Sequence, residues 1–227
     1  MKLPLRAITL ILLLLAATGT ASASGVTLTL NNGGSDVMGG VYVGPYNFTE
    51  TGNGSPVSLG LICDDYTDEV WLGESWTANL TNMPLTSSSL SGLYFGGTNG
   101  AGTAYLEAAW LAQQIFALGP ANASNSATIG YMQYAIWDLF SPGASSGLSA
   151  SQQSMVSYWL TQAADNYNCA TCNYSDVVIY TPSSLGVPEG TQPQEYIGII
   201  TTPEPGALML LSAGLLGLLG FRRRLSY

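Results

Sequence analysis

Tyr105-Leu106-Glu107-Ala108-Ala109-Trp110-Leu111-Ala112-Gln113-Gln114-Ile115-Phe116-Ala117-Leu118-Gly119-Pro120 reads as a helix that carries its own stop. Glycine supplies the left-handed residue that ends helices, and proline cannot continue the hydrogen-bond ladder. Two more helices follow. In Ala127 to Phe140, Ile129, Ile136, Trp137 and Phe140 recur at helical spacing, and Ser151 to Asp165 is the third. Strand-like segments flank this group. Val26 to Leu30, Val41 to Val43, Val57 to Cys63 and Ser75 to Leu80 precede it, and Asp176 to Tyr180 and Glu195 to Ile200 come after. Gly and Asn clusters separate the early ones. Strands, an inserted helical group, then strands predict an α+β domain whose sheet portion is sandwich- or barrel-like. No internal repeat is evident. The Pro/Gly-rich stretch from Leu185 to Pro193 opens a linker, so this reading bounds the folded body at 24–184 and the linker at 185–202.

Both ends are targeting segments. Lys2 and Arg6 precede an apolar core from Ala7 to Ala17, and Ala21-Ser22-Ala23 offers small residues for cleavage. Residues 1–23 therefore read as a secretory signal peptide. At the other end, over 203–227, stand Pro203-Glu204-Pro205, an apolar run from Ala207 to Phe221 and Arg222-Arg223-Arg224. The run reads as a single hydrophobic helix, with the arginines expected on the cytoplasmic side. It is shorter than the ~20 residues of a comfortable spanning helix, though Ile197 to Ile200 could extend it. An ordinary membrane anchor would leave the Pro-Glu-Pro unexplained. The ordered trio resembles the PEP-CTERM sorting tail of Gram-negative bacteria. That resemblance implies an exosortase as processing partner and transient anchorage in the inner membrane. The destination it implies is the cell surface or the extracellular, exopolysaccharide-rich matrix.

The body between these ends is chemically restricted. All 5 Lys and Arg residues lie in the targeting ends and the chain has no His, against 14 acidic residues and a net charge of −9. Such a body cannot neutralise phosphates, which excludes nucleic acid as a partner. Ser-His-Asp and Cys-His catalysis lack their imidazole base. A His-based zinc site and a P-loop lysine are absent as well. The acidic run Asp64-Asp65-Tyr66-Thr67-Asp68-Glu69 lacks the spacing of a calcium loop and reads as a solvated turn, so no metal or cofactor is expected.

Cys169 and Cys172 form C-A-T-C in an exported chain, so a local disulfide is expected. Cys63 is left over, which implies intermolecular pairing, an inert buried thiol, or dedicated chemistry. It ends the alternating stretch Val57, Leu59, Leu61. Downstream, Tyr131-Met132-Gln133-Tyr134-Ala135-Ile136-Trp137 places a glutamine between apolar residues and a tryptophan. Ile62-Cys63 together with this glutamine motif resembles the bacterial surface thioester domains. There a cysteine earlier in the chain bonds to the motif glutamine, which implies a Cys63–Gln133 thioester here. An aromatic residue or leucine before the cysteine is the family's usual pattern, and Ile62 departs from it.

Thioester chemistry suits this composition. Sulfur overlaps poorly with the carbonyl, so the bond stays electrophilic and survives only where water is excluded. Tyr131, Trp137 and Trp76 are candidates for the excluding shell. The partner would be a protein or polysaccharide nucleophile, an amine or hydroxyl, at the cell surface or in the matrix. Each molecule would act once, so the chain is not expected to be an enzyme. The competing reading is a non-covalent structural or carbohydrate-binding module of the matrix. In it Cys63 is a passive core thiol and Gln133 a hydrogen-bonded core residue. Gln113 and Gln114 have similar surroundings to Gln133. A carboxylate glycosidase built on Asp138 with Asp64, Asp65 or Glu107 finds no support in their spacing.

Overall fold

Alternation between inward apolar and outward polar side chains organises the first strand. In β1 (Val26–Asn32), Val26, Leu28 and Leu30 are buried while the threonines between them are half-exposed. The computed structural model describes residues 25–34, 36–52, 54–183 and 192–200. The signal peptide, the Pro203–Arg224 sorting tail with its expected hydrophobic helix, and half of the expected linker lie outside the described residues.

Next come β2 (Asp36–Met38), β3 (Val41–Val43), β4 (Tyr46–Thr51), β5 (Val57–Cys63) and β6 (Ser75–Asn82). The helical group is α1 (Ser87–Leu90), α2 (Ala101–Ala117), α3 (Ser126–Phe140), a 3₁₀ turn (Ala144–Gly147) and α4 (Ala150–Asn166). Strands β7 (Val177–Pro182) and β8 (Tyr196–Ile199) complete it. The order β1-β4-β5-β8-β7-β6 closes into an antiparallel barrel because β6 pairs back onto β1, and β2–β3 forms a separate hairpin. The fold is α+β, with the helices inserted between β6 and β7.

Helix α2 ends as its residues dictate. Leu118 caps it and Gly119 takes the left-handed conformation at φ +69° before Pro120. α4 begins with a capping box in which Ser149 and Gln152 satisfy each other's exposed donors. α2 packs against β8, whereas α3 packs on β5 and on the β2–β3 hairpin. At Gly130 of α3 an added Cβ would meet the Met38 terminal methyl at 2.5 Å, so a larger residue there would push the Met38 side chain aside. This packing carries α3 across the end of β5.

Three expectations are corrected. β8 pairs with both β5 and β7, so the folded body does not end at 184 and the span 185–202 is not all linker. β2 and β4 were not foreseen, although Tyr46 and Phe48 alternate inward with polar residues. The aspartates of the run after Cys63 are not solvated either, although Tyr66, Thr67 and Glu69 are exposed. Asp64, Asp65 and Asp68 are buried, because the chain folds back under Glu195 and Gln194 instead of turning through water.

Candidate functional site

Strand β5 delivers Cys63 to the barrel end, and α3 lays Gln133 across it. Both side chains are wholly buried. The Gln133 side-chain amide donates from Nε2 to the Cys63 backbone carbonyl at 2.6 Å. Its Oε1 is buried without a hydrogen-bond partner. The Cys63 thiol is free and donates from Sγ to the Asp65 carbonyl at 2.9 Å. Two residues 70 positions apart thus meet at one buried point. Burial pushes the thiol well above its ordinary pKa, with the Asp65 and Asp64 carboxylates adding to the effect. The Trp137 indole opposes this by favouring the thiolate, although its Nε1 reaches no partner at hydrogen-bonding geometry.

Aromatic rings close the site. Trp137 packs on Tyr134 with centroids 5.0 Å apart and on Tyr66 at 5.2 Å. Inside the barrel Tyr196 meets Tyr46 at 5.8 Å and Phe48 at 4.8 Å. The Tyr46 and Tyr196 hydroxyls are both raised in pKa by burial first and by Cys63 next, which places them in the thiol's surroundings. Of the expected shell, Trp137 is in place. Trp76 stands one ring further back, stacked on Tyr196 at 6.1 Å. Tyr131 is half-buried on α3 and enters none of these ring pairs. The sequence reading missed Tyr46, Tyr66 and Tyr196; their signal was aromatic residues at inward strand positions or next to Cys63.

Carboxyl groups form the floor. Glu195 accepts from the Tyr94 backbone N–H at 3.0 Å and also from the Tyr105 and Thr181 hydroxyls. Asp64 pairs its N–H with the Glu195 carbonyl at 3.3 Å. Burial raises Asp64 well above its ordinary pKa, and the Glu195 charge reinforces this. Asp65 is raised to about 7, chiefly by burial. Its Oδ1 accepts from the Thr67 and Asp68 backbone N–H groups. No group of three metal-ligating side chains occurs among the described residues.

The other candidates have structural partners. Gln113 donates to the Asn173 carbonyl and to Asp176, and Asp138 accepts from the Gly143 and Ser145 backbone N–H groups. A disulfide joins Cys169 to Cys172, with Cα atoms 5.1 Å apart. Outside the ring wall lies a cleft of about 540 Å³, lined in part by Tyr42, Tyr46, Tyr66, Trp71, Trp137 and Gln194.

Comparison with known proteins adds the targeting class. Residues 201–224 match the PEP-CTERM protein-sorting motif. This is the signature of an exported surface protein whose tail is held in the membrane before exosortase processing. Among the described residues no helix is long and apolar enough to cross a membrane. No curated protein matches the chain. Among solved structures, the chain is similar to the N-terminal domain of the Streptococcus pyogenes pilus tip adhesin Cpa. Identity is 10% and the TM-score 0.45, over 82% of this chain and 97% of that one.

Proposed function

We propose that this exported protein attaches covalently to a surface or matrix partner through a Cys63–Gln133 thioester. One observation carries the reading: the Gln133 carboxamide is sealed against Cys63 with its carbonyl oxygen unpartnered. A buried carboxamide that leaves its acceptor unused gives up about 1–3 kcal/mol, an expense without purpose in an ordinary core.

The chemistry balances within these groups. The Cys63 sulfur attacks Cδ of Gln133, the C–N bond breaks, and the amide nitrogen leaves as ammonia with the thiol proton. An amine or hydroxyl of the partner later attacks the same carbon. The Cys63 thiolate departs, takes the nucleophile's proton, and an amide or ester joins the partner to Gln133. The rings of Trp137, Tyr134 and Tyr66 exclude water in the interval. The reaction runs once per molecule, so the protein is an adhesive, not a turnover enzyme.

A second reading has its own observation. The Cys63 thiol already donates to a backbone carbonyl, as an inert core thiol does. In that case the domain is a non-covalent module of the matrix.

Intact mass of the exported protein decides between them. A deficit of one ammonia that disappears as methylamine adds is expected, and Cys63→Ala and Gln133→Ala should each abolish it. A full mass with an alkylatable Cys63 overturns the covalent reading.

A further inference from the structure

The cleft beside the site differs from the rest of the surface. In the segment joining β5 to β6, Trp71 is 70% exposed and Leu72 67%, and Tyr42 of β3 faces them at 52%. The turn that carries Trp71 is fixed. Trp71 N–H donates to the Glu74 carboxylate at 2.9 Å and Glu74 N–H returns to the Trp71 carbonyl at 2.9 Å. Gly73 N–H donates to the Leu30 carbonyl at 2.8 Å, and Leu30 N–H to the Glu74 carbonyl at 3.0 Å. Two adjacent large apolar side chains held in water on a pinned turn form a surface kept ready for a partner.

Charge decides which partner. The exposed Glu69 lines the cleft together with the buried Asp68, and no Lys, Arg or His occurs among the described residues. The cleft therefore repels anions and concentrates cations, and the open faces of Trp71, Tyr42 and Tyr66 attract a cation further.

We infer that this cleft binds a cationic amino-sugar polymer, a glycan of hexosamines with free amines. Pyranose rings present flat C–H faces to aromatic planes, and their hydroxyls and ammonium groups suit the exposed Glu69 carboxylate. A lysine peptide brings the charge without the flat faces. A neutral glycan brings the faces without the charge. The inference deepens the proposed function by naming the polymer whose amine meets Gln133, yet binding itself needs no thioester.

The test uses the full chain in detergent micelles carrying Cys63→Ala, so that failure of the thioester leaves the measurement intact. Tryptophan fluorescence is titrated at mildly acidic pH with a glucosamine hexamer, an N-acetylglucosamine hexamer and a hexalysine peptide. The glucosamine hexamer should bind at least tenfold more tightly than the other two. Trp71→Ala should abolish that binding, Trp71→Phe should keep most of it, and Glu69→Gln should weaken it severalfold. No binding of the glucosamine hexamer overturns the inference. So does equal binding of hexalysine, which assigns the cleft to cationic peptides, or of the N-acetylated hexamer, which removes the role of charge.

Discussion

Gln133 holds one hydrogen bond where a carboxamide could hold several. Replacing it by methionine keeps the shape but removes both its donor to the Cys63 carbonyl and its unpartnered Oε1. The lost bond and the removed orphan acceptor are each worth about 1–3 kcal/mol with opposite signs. Gln133→Met is therefore expected to unfold within about 1 kcal/mol of the parent by urea titration while losing all covalent capture. A much larger destabilisation would make Gln133 a structural keystone instead. The pair itself was legible from an unpaired cysteine, a glutamine motif and a composition that removes rival chemistries. The thiol's acceptor, the Asp65 carbonyl, was not legible, because a backbone atom leaves no mark in sequence. The burial of Asp64, Asp65 and Asp68 was misread for a related reason: what covers them arrives from residues 194 and 195.

Among the elements, Glu195 ties the segment before β8 to the rest. It takes the Tyr94 N–H from the loop before α2, the Tyr105 hydroxyl from α2 and the Thr181 hydroxyl from β7. Tyr105 in turn accepts from the Phe95 N–H at 3.1 Å. Tyr105→Phe strips Glu195 of a donor and leaves the half-buried Phe95 N–H short of its partner. A loss of about 1–3 kcal/mol is expected, read as a lower urea midpoint at unchanged slope. An unaltered midpoint would mean that water replaces the hydroxyl freely. The three long helices were readable to within a few residues, since period and stop signals are local; the short α1 was not, and the first turn of α2 from Ala101 carries the weak helix formers Gly102 and Thr103, which hid it. Which strands neighbour which was not readable. β8 lies between β5 and β7, and its pairing with β5 spans more than 130 residues that no local pattern records.

Taken whole, the protein buries carboxyls and has no cations in its body to answer them. Asp64, Asp65 and Glu195 all have raised pKa values, with burial the first cause, and Asp65 reaches about 7. The folded state then holds protons that the unfolded chain releases from about pH 4 upward. Since the native state binds more protons in that window, stability is greatest in acid and falls as pH rises through about 7. Thermal unfolding is expected at least ~4 °C higher near the acid end of this window than in mildly alkaline buffer. A melting temperature that climbs with pH instead would show these groups ionised and held by hydrogen bonds in the folded state.

The chain departs for its sorting tail directly from β8, whose ladder partner is the Cys63 end of β5 through Leu61–Gly198, Ile62–Ile197 and Cys63–Tyr196. Because the strands run antiparallel and leave this ladder at opposite ends, a pull on the tail against the Cys63 end of β5 shears them lengthwise past each other. The rungs of that ladder are loaded together and must rupture together, whereas a peeling geometry would break them one at a time.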